Sequence, residues 1–170
     1  MLNVRDVSQA RQSYKELRDN LFAYKRDARF KGVRLGPMAP TGCDMFIGAK
    51  HDASFGSVVF FGMGGVFIEI LKDVASVLCP TTPQEVMKKL ERLKSFTLLK
   101  GYRGQDPYDI DAFVDCGVRV SHLMNRFARI DELDVNPVRV FSRDKGLLAL
   151  DARMRVRKLD RKRIIQGLGV

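Results

Sequence analysis

Glu132-Leu133-Asp134-Val135-Asn136-Pro137, followed by Ser142-Arg143-Asp144-Lys145-Gly146 and then Leu148-Ala149-Leu150-Asp151-Ala152-Arg153, is the stretch on which the fold turns. Both outer runs alternate polar and apolar side chains with period two, the pattern of half-buried strands. Glu132, Asp134 and Asn136 fall on one face, with Leu133 and Val135 on the other. In the second run Asp151 and Arg153 oppose Leu148, Leu150, Ala152 and Met154. The middle segment has turn chemistry, so the whole predicts an antiparallel hairpin. With a loop of two or three residues, Asn136 falls opposite Asp151 or one place away, and cross-strand neighbours sit roughly 4.5–5.5 Å apart. A carboxylate and an amide oxygen at that spacing suit Mg²⁺, which takes few protein oxygens and leaves the rest to water and phosphate. The competing reading is a hairpin with one wet face.

Working outward, Asp6 to Tyr24 places Val7, Ala10, Tyr14, Leu17, Leu21 and Tyr24 on one helical face. Short extended runs follow at Gly32–Met38 and Cys43–Lys50, joined by a Pro40/Gly42 turn. Ser57–Phe61 is β-branched and aromatic, as in a central strand, and it ends in Gly62-Met63-Gly64-Gly65. That block could present backbone N–H groups to an anion. It could equally be a tight β-turn, because an extended run (Val66 to Leu71, containing Glu69) follows where a dinucleotide fingerprint needs a helix. Val74–Leu78 completes a meander. Thr82-Pro83-Gln84-Glu85 is a capping box opening a helix to about Lys94. The Leu98–Gly104 segment is a glycine-rich loop bearing Arg103, a candidate anion contact. Asp106-Pro107 is expected to cap a last helix running to about Phe127. Strands come in runs rather than alternating with helices, which predicts an α+β fold with a mostly antiparallel sheet.

A net charge of +10 invites a nucleic-acid reading, so its location matters. Residues 1–31 carry eight Lys/Arg against four acids, residues 153–170 seven against one, and the body between them is balanced. The basic tail has no aromatic residue to stack on bases, which argues against nucleic acid. Cys43, Cys79 and Cys116 are dispersed and form no CxxC or zinc spacing, and His51 and His122 stand alone. No apolar run reaches membrane-span length, and no signal peptide is seen at the start. A cytoplasmic protein with structural thiols and no membrane partner is expected.

Five blocks in order then carry a resemblance. They are Gly48-Ala49-Lys50-His51-Asp52 with Phe55-Gly56, Phe61 through Asp73, Lys100-Gly101-Tyr102-Arg103-Gly104, Glu132 through Pro137, and Leu150-Asp151-Ala152-Arg153. From about Asp6 to Arg155 the chain resembles the C-terminal part of the ATP-grasp domain of NDP-forming acyl-CoA synthetases, the ADP-forming acetate–CoA ligase beta subunit in particular. The resemblance implies a partial ATP-grasp domain over 1–156 and a basic tail over 157–170. It implies Mg²⁺ and ATP or ADP as cofactors, with Asn136 and Asp151 as metal ligands and Asp134 in a supporting role. Gly62, Gly64, Gly65 and Glu69 are then nucleotide-binding and Arg103 catalytic. The implied reaction is acyl-CoA plus ADP and phosphate to acid, CoA and ATP through a phosphohistidine. The implied partners are an N-terminal ATP-grasp half and CoA-binding and ligase domains, or an alpha subunit, none of them in this chain.

Three positions depart from the family pattern. Leu35-Gly36-Pro37-Met38 replaces Val-Gln-Glu-Met at the adenine hinge, where Pro37 removes a backbone donor. Asp44 stands for a Glu, and Val77 for an Arg. A non-catalytic relic serving as an interaction module is the alternative these departures motivate.

Overall fold

The computed structural model describes residues 3–64 and 73–157. The expected run Val66–Leu71, with Gly65 and Glu69, and the basic tail from 158 onward lie outside the described residues. The chain divides into two compact units, residues 1–40 and 41–170.

In the first unit, α1 spans Val7–Tyr24, and the Asp6 side chain accepts from the Gln9 N–H as its cap. The predicted apolar face is present, yet no residue of α1 is buried. Tyr14 meets Phe30 edge-on at 5.5 Å, and Phe22 tilts toward the same ring. The expected strand at Gly32–Met38 does not form. Gly32 adopts φ +124°, Pro37 lacks an N–H, and among the described residues no ladder partner pairs the segment, so nothing there satisfies its backbone as a strand.

The second unit is built on β1 (Cys43–Asp52), β2 (Gly56–Met63), β3 (Val74–Leu78), β4 (Ile130–Val140), β5 (Leu147–Ala149) and β6 (Ala152–Val156). The described strands form one antiparallel sheet in the order β3-β2-β1-β4-β5, with β6 extending the pairing along β4. Three helices belong to this unit: α2 (Pro83–Leu90), the short α3 (Phe96–Leu99) and α4 (Ile110–Arg126). The architecture is therefore α+β, as the pattern predicted. One sheet face supplies Met45, Ile47, Ala49, Val59, Phe61, Leu133 and Val135 to a core closed by Val86 and Leu90 of α2 and by Phe113 and Met124 of α4. This leaves the alternate residues (Phe46, Gly48 and Lys50; Glu132, Asp134 and Asn136) on the other face.

The capping box forms as read: Thr82 Oγ1 accepts from the Glu85 N–H, and the Glu85 carboxylate accepts from the Thr82 N–H. The helix it opens stops at Leu90 rather than near Lys94, because Asp73 intervenes. Its two carboxylate oxygens accept from the Lys94 and Ser95 N–H groups at 3.0 and 2.7 Å, turning the chain into α3. Burial would raise this carboxyl. The nearby Ser95 hydroxyl and the Ser95 and Lys94 N–H groups lower it by more, and the result is a carboxyl below its usual value. Among the described residues Ser95 Oγ has no hydrogen-bond partner, so of these groups the geometry supports the two backbone donors most directly. A folded-state value below the unfolded one makes the Asp73 contribution complete above the unfolded pKa and lost as pH falls through the folded one. Asp73→Ala should cost about 1–2 kcal/mol at neutral pH, as for hydrogen bonds to a charged group. The gap to the parent should close on acidification below about pH 4, as read by urea titration across pH.

The last helix is capped one turn later than expected. Asp109, not Asp106, accepts from the Ala112 N–H. Tyr108 pairs with Ser142 in a β-bridge and the Pro107 carbonyl accepts from the Arg143 N–H, which holds 107–108 extended. Asp109 Oδ2 also accepts from the Gly146 N–H at 2.8 Å. One carboxylate thus caps α4 and latches the hairpin turn.

Candidate active site

The hairpin register is uniform from Val140↔Leu147 through Val138↔Ala149 to Val135↔Ala152 and Asp134↔Arg153. Between those pairs the Asn136 N–H donates to the Asp151 carbonyl at 3.1 Å, and the Leu150 N–H to the Pro137 carbonyl at 3.0 Å. Asn136 therefore lies directly across from Asp151. Side chains of such a pair share a face, with Cβ atoms about 5 Å apart.

Pro137 explains a detail that alternation misses. It has no N–H for the ladder to β1, and the register shifts by one residue between Met45 and Ile47. The Asn136-Pro137 peptide is cis. Beyond the shift, Val138 and Val140 take the core face that Leu133 and Val135 held. Phe46 is left opposite the Asn136-Pro137 step, and on its other side Phe46 pairs with Gly62, which pairs with Val74. Gly62, Phe46, Asn136 and Asp151 thus occupy one row across the sheet. Strand spacing puts Gly62 and Asn136 about 10 Å apart, the scale of a polyphosphate.

Gly62 and Gly64 have a packing reason of their own. A Cβ on Gly62 would run into the Asp73 carbonyl oxygen and lie 3.0 Å from the Phe46 ring. One on Gly64 would lie 2.6 Å from the Met45 carbonyl oxygen. The Gly64 N–H donates to the Asp44 carbonyl at 2.8 Å, so while that bond stands it is not offered to an anion. Arg103 is exposed in the loop after Gly101, at φ +52°, with its guanidinium 5.3 Å from the Tyr102 ring centre. The loop is tied to the hairpin turn through 107–109.

The open face is laddered with charge. Arg155 bridges Asp131 at 2.9 Å and Glu132 at 3.2 Å, and Arg153 Nε lies 3.5 Å from the Asp151 carboxylate. One row toward the hairpin turn, Arg139 grips Asp44 with two bonds of 2.8 and 3.0 Å. Asp44, one of the three positions that depart from the family pattern, is thus engaged by a partner 95 positions away, and no local signal in the sequence could have joined them. A groove of about 630 Å³ runs along this face past Phe46, Lys50, Phe60, Glu132, Asp134 and Arg153.

The thiols are held in their protonated form. Burial pushes Cys43 up to about 11, with the Asp44 charge adding to it, and burial alone pushes Cys79 up to about 11. Burial raises Cys116 as well. All three are unbonded to one another, and protonated thiols are poor nucleophiles. Among the described residues no helix is long and apolar enough to cross a membrane.

The antiparallel sheet, its open charged face and the end-to-end block order define a domain class. The ATP-grasp domain family matches residues 1–156, and the chain belongs to it, as a partial ATP-grasp region. It is similar to the acetate–CoA ligase [ADP-forming] II subunit beta of Pyrococcus furiosus, at 37% identity over 155 residues, covering 91% of this chain and 66% of the relative. Among solved structures it resembles the dinucleotide-forming acetyl-coenzyme A synthetase 1 of Ca. Korarchaeum cryptofilum. With coenzyme A, Ca-AMPCP and HgCl⁺, that protein superposes at TM-score 0.84 and 33% identity, covering 92% of this chain and 68% of that one. Its form with coenzyme A and Mg-AMPPCP, the phosphohistidine segment pointing towards the nucleotide binding site, gives TM-score 0.76 and 30% identity, covering 92% and 67%. The chain spans about two thirds of the length of these relatives.

Proposed function

We propose that this chain supplies the Mg²⁺–nucleotide side of an ADP-forming acid–CoA ligase, with Asn136 and Asp151 as the metal-holding pair. The observation that supports the reading is the hairpin register, in which the Asn136 N–H donates to the Asp151 carbonyl and makes the amide-bearing and carboxylate-bearing residues cross-strand neighbours. Such a donor set suits a cation arriving with its nucleotide rather than one caged by protein alone: Mg²⁺ keeps several waters and borrows phosphate oxygens. When bound, Mg²⁺ would neutralise charge between the nucleotide phosphates.

The chain's own groups bind and orient. The Asn136 amide oxygen and the Asp151 carboxylate offer lone pairs to the cation. Asp151 would meet the cation in competition with its approach to Arg153 Nε, 3.5 Å away. Asp134 stands one row away in support. Arg103, Gly62, Gly65 and Glu69 complete the reading as phosphate-side groups, on the strength of the resemblance. The full reaction, acyl-CoA, ADP and phosphate to acid, CoA and ATP via phosphohistidine, would need the rest of an ATP-grasp fold and CoA-binding and ligase domains or an alpha subunit. Three unbonded thiols support a reducing cytoplasm.

The relic reading keeps two observations on its side: Pro37 at the hinge and the engaged Gly64 amide. Thermal unfolding with and without Mg·ADP separates the two. A ligand at a hundred times its dissociation constant adds about 2.7 kcal/mol of stability, read as a rise in Tm that EDTA reverses. An unmoved Tm at millimolar Mg·ADP would establish the relic.

A further inference from the structure

We infer that the outer edge of β3 is a docking site for an extended acidic segment of a partner polypeptide, which adds a strand to the sheet. The Cys79 N–H donates to the Ser57 carbonyl at 2.8 Å, one step beyond the Val58↔Leu78 pair. Alternation along an antiparallel ladder then turns Val77 and Ala75 toward β2, leaving the N–H and C=O groups of Val74, Ser76 and Leu78 pointing outward. Among the described residues no strand pairs with them. Exposed edges are usually blunted by a lysine, a proline within the strand or a bulge. Val-Ala-Ser-Val-Leu has none of these, and Val74 and Leu78 are 44% and 57% exposed.

Beside this edge runs a groove of about 530 Å³, bounded by the first turns after β3 and by α2. Its α2 side carries Lys88, Lys89 and Arg92, and none of the three forms an ion pair among the described residues. The one acid in the groove, Glu85, is already taken, its carboxylate accepting from Thr81 Oγ1 and from Thr82. An incoming strand would place alternate side chains toward α2, where three cations call for carboxylates. The intervening ones would lie on the opposite face against Val74 and Leu78, which call for small apolar groups. The preferred ligand therefore alternates acidic and apolar residues, with main-chain bonds supplying affinity and the alternation supplying choice. The same charges disfavour a second copy of this chain, since pairing β3 with β3 would set the two basic helices near each other.

The test uses the full chain without nucleotide, so its result is independent of the metal assignment. A short fluorescent peptide alternating glutamate and valine should bind saturably by anisotropy, and more weakly as salt rises. Lys88→Glu combined with Arg92→Glu should weaken binding about tenfold or more. Methylating the peptide's outward-paired amides should abolish binding with the protein untouched. Absence of saturable binding overturns the proposal. So does equal binding of a lysine–valine peptide or indifference to amide methylation. Sedimentation as a dimer that Ser76→Pro dissociates would assign the edge to a second copy instead.

Discussion

Asp151→Ala is expected to weaken Mg²⁺-dependent ADP binding by at least about a hundredfold, because removing a group that merely orients a metal ligand already costs 10–100-fold. Calorimetric titration of Mg·ADP into parent and variant reads the loss directly. Asn136→Ala should behave alike, since two protein oxygens cannot hold the cation if one is gone and the remaining partners are water and phosphate. Stability supplies the control. Asp151 is more than half exposed, and its contact with Arg153 is a surface pair at 3.5 Å, of a kind that contributes 0–1 kcal/mol. The melting temperature without ligand should therefore barely move. Asp134→Ala, one row along β4, should cost far less affinity than either. Should all three variants bind as the parent does, the hairpin is only a hairpin and the metal assignment falls.

The second large effect is expected at Gly64, and it concerns folding. Its new Cβ would press on the Met45 carbonyl at 2.6 Å and on the Met45 carbonyl carbon at 2.8 Å. These are backbone atoms of β1, the strand flanked by β2 and β4, and they cannot rotate away as a side chain could. Gly64→Ala must shift the end of β2 or lose the Gly64–Asp44 bond, for a cost of about 1–3 kcal/mol, as in overpacked cores. The fall in the urea midpoint measures it. The Mg·ADP dissociation constant of the folded variant gives the contrast. Unchanged stability with lost affinity would mean that the glycine serves a phosphate after all. Gly62 is the parallel case, with the Asp73 carbonyl in the way.

Both predictions bear on what a linear reading can see. The capping box at Thr82–Glu85 was legible because every atom in it lies within one turn of helix. The alternation of Glu132 to Asn136 was legible for the same reason, and it led to a pairing across fifteen residues because the turn between is short. The glycine block was legible only as permission for close approach. That the approaching groups are the backbones of β1 and of Asp73 depends on which strands lie beside β2.

Gly32–Met38 looked extended yet finds no ladder among the described residues. Asp106 looked like a cap but ceded the place to Asp109, because Tyr108 is held by Ser142 on the hairpin. Period, caps and turns, which act over a few residues, were determined by the sequence by itself, and with them the α+β class and, to within one place, the Asn136–Asp151 pairing. The tertiary structure alone decided the one-residue shift at Pro137, the grip of Arg139 on Asp44 and the outer edge of β3, which no strand among the described residues pairs. Each of these is set by which distant backbone arrives alongside, and no local pattern encodes that arrival.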